Sequence, residues 1–278
     1  GKESLLFLDR FERAKPALAD IDGDGDLDLF VGSAGGRVLY FENQGTAKAP
    51  RWRLANPAIP AQQGPERDAP ALPIDVGANA APVLVDIDGD GDLDLFVGSA
   101  AGRLFFFRNE GNRFLPVFRL VTADFLGEKL GLNLVAAFPD LNGDGLPDLS
   151  FGNEAGAFLL ALNVGTRANP RYCVRSEPAP DCLSPLLKLG QLDPEDNAVP
   201  AWSDWDRDGD LDLFVGKSDG TIAYFQNIGS RREGAWELRE PRFNILDSGG
   251  FASPLFADLN GDGVEDLLLA GDGDQIAF

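Results

Sequence analysis

One acidic, glycine-punctuated segment recurs five times in this chain of 278 residues, and it constrains the fold more than any other feature. The copies start at Asp20 (DIDGDGDLD), Asp86 (DIDGDGDLD), Asp140 (DLNGDGLPD), Asp204 (DWDRDGDLD) and Asp258 (DLNGDGVED). Each puts an oxygen-bearing side chain at positions 1, 3, 5 and 9 and glycine at position 6. In a tightly curled loop alternate side chains converge on one point, and converging hard oxygen donors bind Ca²⁺. Glycine lets the backbone turn back where a Cβ would clash.

The segment is not an EF-hand, which needs a bidentate Glu at position 12 and a helix on each side. Position 12 is Val31, Val97, Phe151, Val215 and Leu269, all apolar. After each loop comes a β-forming run (LDLFVG, LDLFVG, PDLSFG, LDLFVG, EDLLLAG) that predicts a half-buried strand with leucines on one face. A short turn then leads to a second strand at 37–41, 103–107, 157–162 and 221–225, so each loop opens a β-hairpin.

The first aspartates are 66, 54, 64 and 54 residues apart. A period of that size carrying several short strands suits a propeller blade, whose radial repetition protects sheet edges. A short apolar strand precedes each loop, with proline four residues ahead of the first Asp in four copies (Pro16, Pro82, Pro200, Pro254). An Asn-x-Gly turn and an aromatic segment (RWRL, VFRL, RYCV, AWEL) follow the hairpin. The expected fold is therefore all-β: a single propeller domain over 1–278, with five blades of four antiparallel strands and one calcium loop per blade.

This pattern resembles the FG-GAP/VCBS-type repeat, the calcium-loop blade also found in the propeller head of integrin α-subunits. The matching residues are the five loops, the FVG strands at Phe30–Gly32, Phe96–Gly98 and Phe214–Gly216, and the Asn-x-Gly turns. The resemblance covers nearly the whole chain and implies a ligand set with side chains at positions 1, 3, 5 and 9 and the position-7 carbonyl. For the three all-aspartate loops that set is Asp20, Asp22, Asp24, Asp26 and Asp28; Asp86, Asp88, Asp90, Asp92 and Asp94; and Asp204, Asp206, Asp208, Asp210 and Asp212. In the other two it is Asp140, Asn142, Asp144, Leu146 and Asp148, and Asp258, Asn260, Asp262, Val264 and Asp266. The fourth loop departs from the pattern with Arg207 at position 4, where the others have glycine. The resemblance specifies fold and calcium, not a ligand, since family members include adhesion receptors, lectins and secreted proteins of unknown role.

Ring closure is a separate question. The chain stops at DQIAF, with no aromatic fourth strand in the last repeat, while 4–11 (SLLFLDRF) precedes the first loop unassigned. That segment is expected to close the last blade. A larger ring, or donation of the strand to a neighbouring molecule to build a filament, are the alternatives. Phe7 lies 13 residues before Asp20, against 22 to 34 for the corresponding aromatics.

The net charge of −21 is mostly loop chemistry: 21 aspartates sit in the five loops, and ten positive charges from five Ca²⁺ would bring it to −11. The remaining acidity argues against nucleic acid as a partner. No stretch of about 18 apolar residues predicts a membrane span. The opening GKES reads as mature or trimmed protein, and secretion to the cell surface is the expectation. Cys173 and Cys182 flank eight residues and read as a local disulfide worth about 2–3 kcal/mol, with free thiols as the other reading.

With no histidine anywhere, Ser-His-Asp triads, Cys-His pairs and HExxH zinc sites are excluded. Carboxylate-pair catalysis stays formally open, but calcium ligation accounts for most aspartates. Trp52, Phe118, Tyr172 and Trp236 recur at the fourth-strand position and read as packing residues, while Trp202 and Trp205 bracket the fourth loop. Two Pro/Ala-rich insertions, 56–80 and 176–198, are expected to be ordered excursions on one rim and candidate partner surfaces. The leading functional expectation is a non-catalytic calcium-binding module for adhesion or self-assembly, with another protein, a glycan or itself as partner. A carbohydrate-binding propeller is the alternative, and a carboxylate-dependent enzyme the third reading.

Overall fold

The computed structural model describes residues 6–7, 13–56, 59–62, 71–127, 131–172, 197–272 and 275–276. Every repeat begins with an inner strand: Lys15–Ala19, Ala81–Val85, Val135–Ala137, Val199–Ser203 and Ser253–Ala257. The acidic loop follows and delivers the chain into the second strand, Asp28–Gly32, Asp94–Gly98, Leu149–Gly152, Asp212–Gly216 or Asp266–Ala270. Third strands run Val38–Asn43, Leu104–Asn109, Phe158–Ala161 and Ile222–Asn227; fourth strands run Trp52–Asn56, Phe118–Thr122 and Trp236–Glu240. Sequential strands pair antiparallel in simple up-and-down order. The five inner strands surround one central channel, each contributing to its lining. The chain is an all-β propeller.

The expectation of five four-stranded blades needs correcting. Among the described residues the first four repeats form sheets of four, six, three and four strands, and the fifth repeat is a two-stranded hairpin. The third blade has an isolated bridge, Asn163 to Tyr172, in place of a fourth strand. The second is widened because Pro60–Gln62 and Ala71–Pro73, within the first insertion, form a hairpin whose first strand lies parallel to Phe118–Thr122. That excursion is thus part of a blade as well as a rim loop. Leu6–Phe7 pairs antiparallel with Gln275–Ile276, joining the two ends of the chain; the rest of 4–11 lies outside the described residues. So do Cys173, Cys182 and most of the second insertion.

The second strands are not half-buried. Leu29, Phe30 and Val31 are almost fully buried, as are Leu95–Val97 and Leu213–Val215. A propeller blade packs against a neighbour on each face, so alternate side chains enter two different cores. Phe30 joins Leu95 and Val97 across one boundary, and Leu29 and Val31 join Leu268 across another. Five such clusters occur among the described residues, the one containing Leu29 linking the fifth repeat to the first. The glycine ending the second strand of the first four repeats marks where the next repeat's backbone crosses: a Cβ on Gly32, Gly98, Gly152 or Gly216 would lie 2.0–2.2 Å from a carbonyl oxygen of Ala80, Leu134, Ala198 or Ala252.

Candidate metal centre

The five loops fold alike although their sequences differ. In each, the position-6 N–H donates to Oδ2 of the position-1 Asp: Gly25 to Asp20, Gly91 to Asp86, Gly145 to Asp140, Gly209 to Asp204 and Gly263 to Asp258, at 2.8–3.3 Å. In each, the position-7 N–H donates to Oδ1 of position 5, as Asp26 does to Asp24 and Val264 to Asp262. Position 6 has φ between +82° and +97° with open space around it, so backbone conformation selects glycine there.

Position 4 is governed by the neighbouring blade. Its φ is also positive, and a Cβ on Gly23 would strike Phe114, one on Gly89 Arg167, and one on Gly143 Arg231. Each of these side chains belongs to the turn after the Asn-x-Gly of the next repeat. Two reach further: Arg167 pairs with Asp86 at 3.3 Å and Arg231 with Asp140 at 3.4 Å. Lys48 of the first repeat lies over Gly261 of the fifth. The fourth loop faces the fifth repeat, for which no such turn is described, and Arg207 stands at position 4 there with φ 61°. Its conformation matches that of the glycines it replaces.

The structure gathers the carboxylates of positions 1, 3 and 5 in the three all-aspartate loops. Asp20, Asp22 and Asp24 form one cluster, Asp86, Asp88 and Asp90 a second, and Asp204, Asp206 and Asp208 a third, with candidate ligand oxygens within 4.8 Å of one another. Buried carboxylate oxygens lacking any protein partner concentrate in the same loops: on Asp20, Asp26, Asp88, Asp94, Asp204 and Asp210. A buried polar atom without a partner is costly, and a cation among these oxygens would satisfy them. Asp26 and Asp210, at position 7, therefore offer a carboxylate as well as a carbonyl. The residues fit a hard divalent ion.

Position 9 has a second task. Asp28, Asp94, Asp148 and Asp212 are buried at the start of the second strand, and Oδ1 of each accepts the backbone N–H of the Asn fifteen residues on, at 2.7 Å. That Asn then holds its own turn: the Asn43 side-chain oxygen accepts N–H groups of Gly45 and Arg51, and Asn109, Asn163 and Asn227 repeat the arrangement. Burial pushes Asp28 and Asp94 up to about 7 and Asp148 to about 6, against the lowering effect of those N–H bonds. Asp212 is raised for the same reason.

The fourth-strand aromatics pack as expected and also brace the loops. Trp52 and Trp236 donate their indole N–H to the position-8 carbonyls of Leu27 and Leu211, and the Tyr172 hydroxyl donates to that of Pro147. Trp202 packs edge-on against Trp236 and donates to Ser150, while Trp205 packs on Phe214, Phe243 and Phe256.

The FG-GAP-like repeat family matches this chain at residues 86–151 and 204–269, which span the second and third, and the fourth and fifth, loops. The chain carries FG-GAP-type repeats. No curated protein matches it. Among solved structures, this FG-GAP chain is similar to the Tc holotoxin pore of Photorhabdus luminescens, at 22% identity and TM-score 0.39 over 92% of this chain and 10% of that one. It is similar to an Agrocybe aegerita lectin specific for non-reducing terminal N-acetylglucosamine, at 18% identity and TM-score 0.43, covering 92% of this chain and 56% of the lectin. The BP39L lectin of Burkholderia pseudomallei aligns over 97% of this chain and 70% of its own length, at 17% identity and TM-score 0.47. The FG-GAP chain thus spans a tenth of the toxin chain and just over half of the first lectin.

One feature of the site was not visible in the sequence. A cavity of about 340 Å³ lies between the first and second sheets, walled by Phe30, Tyr40, Phe114 and Phe118 with Asp22 and Asn56 among its polar groups. Phe114 and Leu115 at its edge are 56% and 71% exposed. The rings equivalent to Phe30 and Tyr40 are covered in two other blades: Phe125 packs on Phe96 and Phe106, and Phe243 on Phe214 and Tyr224. The missing signal is a long-range one, because the residues that fill or leave open this space come from segments of unrelated sequence.

Proposed function

We propose that this chain is a calcium-stabilised, non-catalytic propeller that acts outside the cell as a binding and adhesive module. The observation carrying this reading is the set of partnerless buried carboxylate oxygens in the all-aspartate loops. Ca²⁺ bound there would neutralise the crowded carboxylates and tie the start of each second strand to the end of its inner strand. Asp20, Asp22, Asp24, Asp26 and Asp28 would hold the ion in the first loop, and the corresponding residues would do so in the others. Asn142 and Asn260 each replace one charge with a neutral oxygen donor, so those two sites bind more weakly. The protein's own residues supply the rest: the Asn-x-Gly turns lock position 9, and Arg167 and Arg231 clip two loops to the following blade.

Sites of extracellular type have dissociation constants on the order of 0.1–1 mM, and an ion at a hundred times its constant adds about 2.7 kcal/mol per site. Thermal unfolding in millimolar Ca²⁺ and in excess chelator tests the reading. A higher midpoint in calcium is expected, and identical midpoints would overturn it. The absence of histidine and the commitment of the aspartates to the loops support a binding role over catalysis.

Carbohydrate recognition is a second reading, favoured by the open cavity between the first two sheets. Its aromatic walls could stack on a sugar ring, with Asp22, Tyr40 and Asn56 addressing hydroxyls. Binding to a glycan array that Phe114→Ala abolishes would support it; absence of any binding would remove it.

A further inference from the structure

The end of the channel opposite the calcium loops breaks the repeat in a way that the metal chemistry does not use. Two residues before each inner strand the backbone turns left-handed, at Arg13, Asn79, Asn133, Asn197 and Phe251, with φ between 44° and 56°. Asparagine is among the residues that tolerate this conformation best, and three repeats use it. The first inner strand then opens with Lys15 where the others have Ala81, Val135, Val199 and Ser253. Departing from its siblings at both positions, the first repeat brings two cations to one mouth of the channel.

Arg13, Lys15, the three asparagines and Phe251 surround a cavity of about 20 Å³ at that mouth, roughly one water in size. The carboxamides form a partial ring: Asn79 donates to Asn133 at 2.6 Å, and Asn133 donates to Asn197 at 3.4 Å and to Glu154 at 2.8 Å. Arg13 lies over the Phe251 ring at 3.9 Å. Lys15 belongs to no ion pair among the described residues. Behind it the channel widens to about 210 Å³, walled by prolines, alanines and valines with Trp202, Leu255 and Phe256, and among the described residues Lys15 is the one charged group in this lining. A lone ammonium at the neck of an apolar channel calls for an anion.

We propose that this mouth binds a carboxylate, held by the Lys15 ammonium with the Asn197 amide, and that an apolar tail on that carboxylate would enter the channel. The head is the shared chemistry, and free small carboxylates or short acyl carboxylates could supply it. The channel volume equals that of about seven waters, comparable with a six-carbon chain. Desolvation, with Arg13 adding to it and Asp272 opposing it, pulls Lys15 down to about 8, so the ammonium persists at neutral pH and is lost under alkaline conditions. The other charged groups facing the mouth are Arg13, Glu154 and Asp272.

The test compares acetate and hexanoate by calorimetry and Trp202 fluorescence on the calcium-loaded chain at constant ionic strength. Saturable binding is expected at pH 6.5, at least tenfold weaker at pH 9.5 and at least tenfold weaker in Lys15→Val, which installs the residue found at positions 135 and 199. Tighter binding of hexanoate assigns the channel to the tail, whereas equal affinities assign free small carboxylates as the ligand; both support the anionic site. Binding of neither compound, or binding unchanged in Lys15→Val and at pH 9.5, would overturn the proposal. Calcium-dependent stability is read on the same samples, so failure here is distinguishable from failure of the metal assignment.

Discussion

Asn227 gives the sharpest test of how an acidic loop is tied to its blade. The side chain is 4% exposed, and its oxygen accepts N–H groups of Gly229 at 3.0 Å and Ala235 at 2.9 Å. Asn227→Ala removes both bonds and leaves the bond from its own N–H to Asp212 available. Two hydrogen bonds at a net 0.5–1.5 kcal/mol each predict a loss of about 1–3 kcal/mol. The flanking turn is exposed, so water satisfies part of the freed N–H groups and the upper desolvation cost does not apply. With an unfolding entropy near 2.1 cal/mol/K per residue, a chain of 278 residues would lose about 2–5 °C of midpoint. Differential scanning calorimetry in saturating calcium reads this directly. Asn227→Asp keeps the acceptor but adds charge beside Asp210 and Asp212, so it should lose less than Ala in calcium and more in chelator. An Asn227→Ala midpoint equal to wild type, or Asp variants indifferent to calcium, would refute the coupling of turn to loop.

Two further predictions follow from the loop geometry. Folded-state values near 6–7 for Asp28, Asp94 and Asp148 lie above the usual carboxylate value of about 4, so the metal-free folded chain holds protons that the unfolded chain releases. The stability these groups contribute is complete below pH 4 and is lost as pH rises through 6–7; in chelator the midpoint should therefore fall between pH 5 and 7.5, and added calcium should lessen or reverse that fall. Arg207→Gly relieves a left-handed non-glycine residue with φ 61° and should stabilise by about 1 kcal/mol, visible as a higher denaturation midpoint; a loss of stability would mean the Arg207 side chain has a holding role.

Much of this architecture was legible because it is local and repeated. Loop spacing, the β-rich run after each loop and the Asn-x-Gly turn each recur at fixed offsets, so local rules sufficed for the fold class and for locating the acidic loops. What escaped lies between repeats. Burial of Leu29 and Val31 on a face opposite Phe30 depends on two neighbouring blades, which strand alternation alone does not reveal. Arg167 meets Asp86, and Arg231 meets Asp140, across 81 and 91 residues, respectively, and no periodicity announces such a pair. The four-residue proline offset was visible, but the left-handed ring ahead of it, from Arg13 to Phe251, was not, because three different residue types occupy equivalent places. The short fifth sheet follows from chain ends whose pairing, Leu6–Phe7 with Gln275–Ile276, no internal repeat could specify.

The most direct test of the central claim is the calcium content of chelator-stripped chain after equilibrium dialysis against millimolar Ca²⁺, counted by elemental analysis. One ion per loop is predicted, filling in two classes, with the loops at Asp20, Asp86 and Asp204 tighter than those at Asp140 and Asp258. A chain that retains no calcium under these conditions, while still folded, would contradict the account.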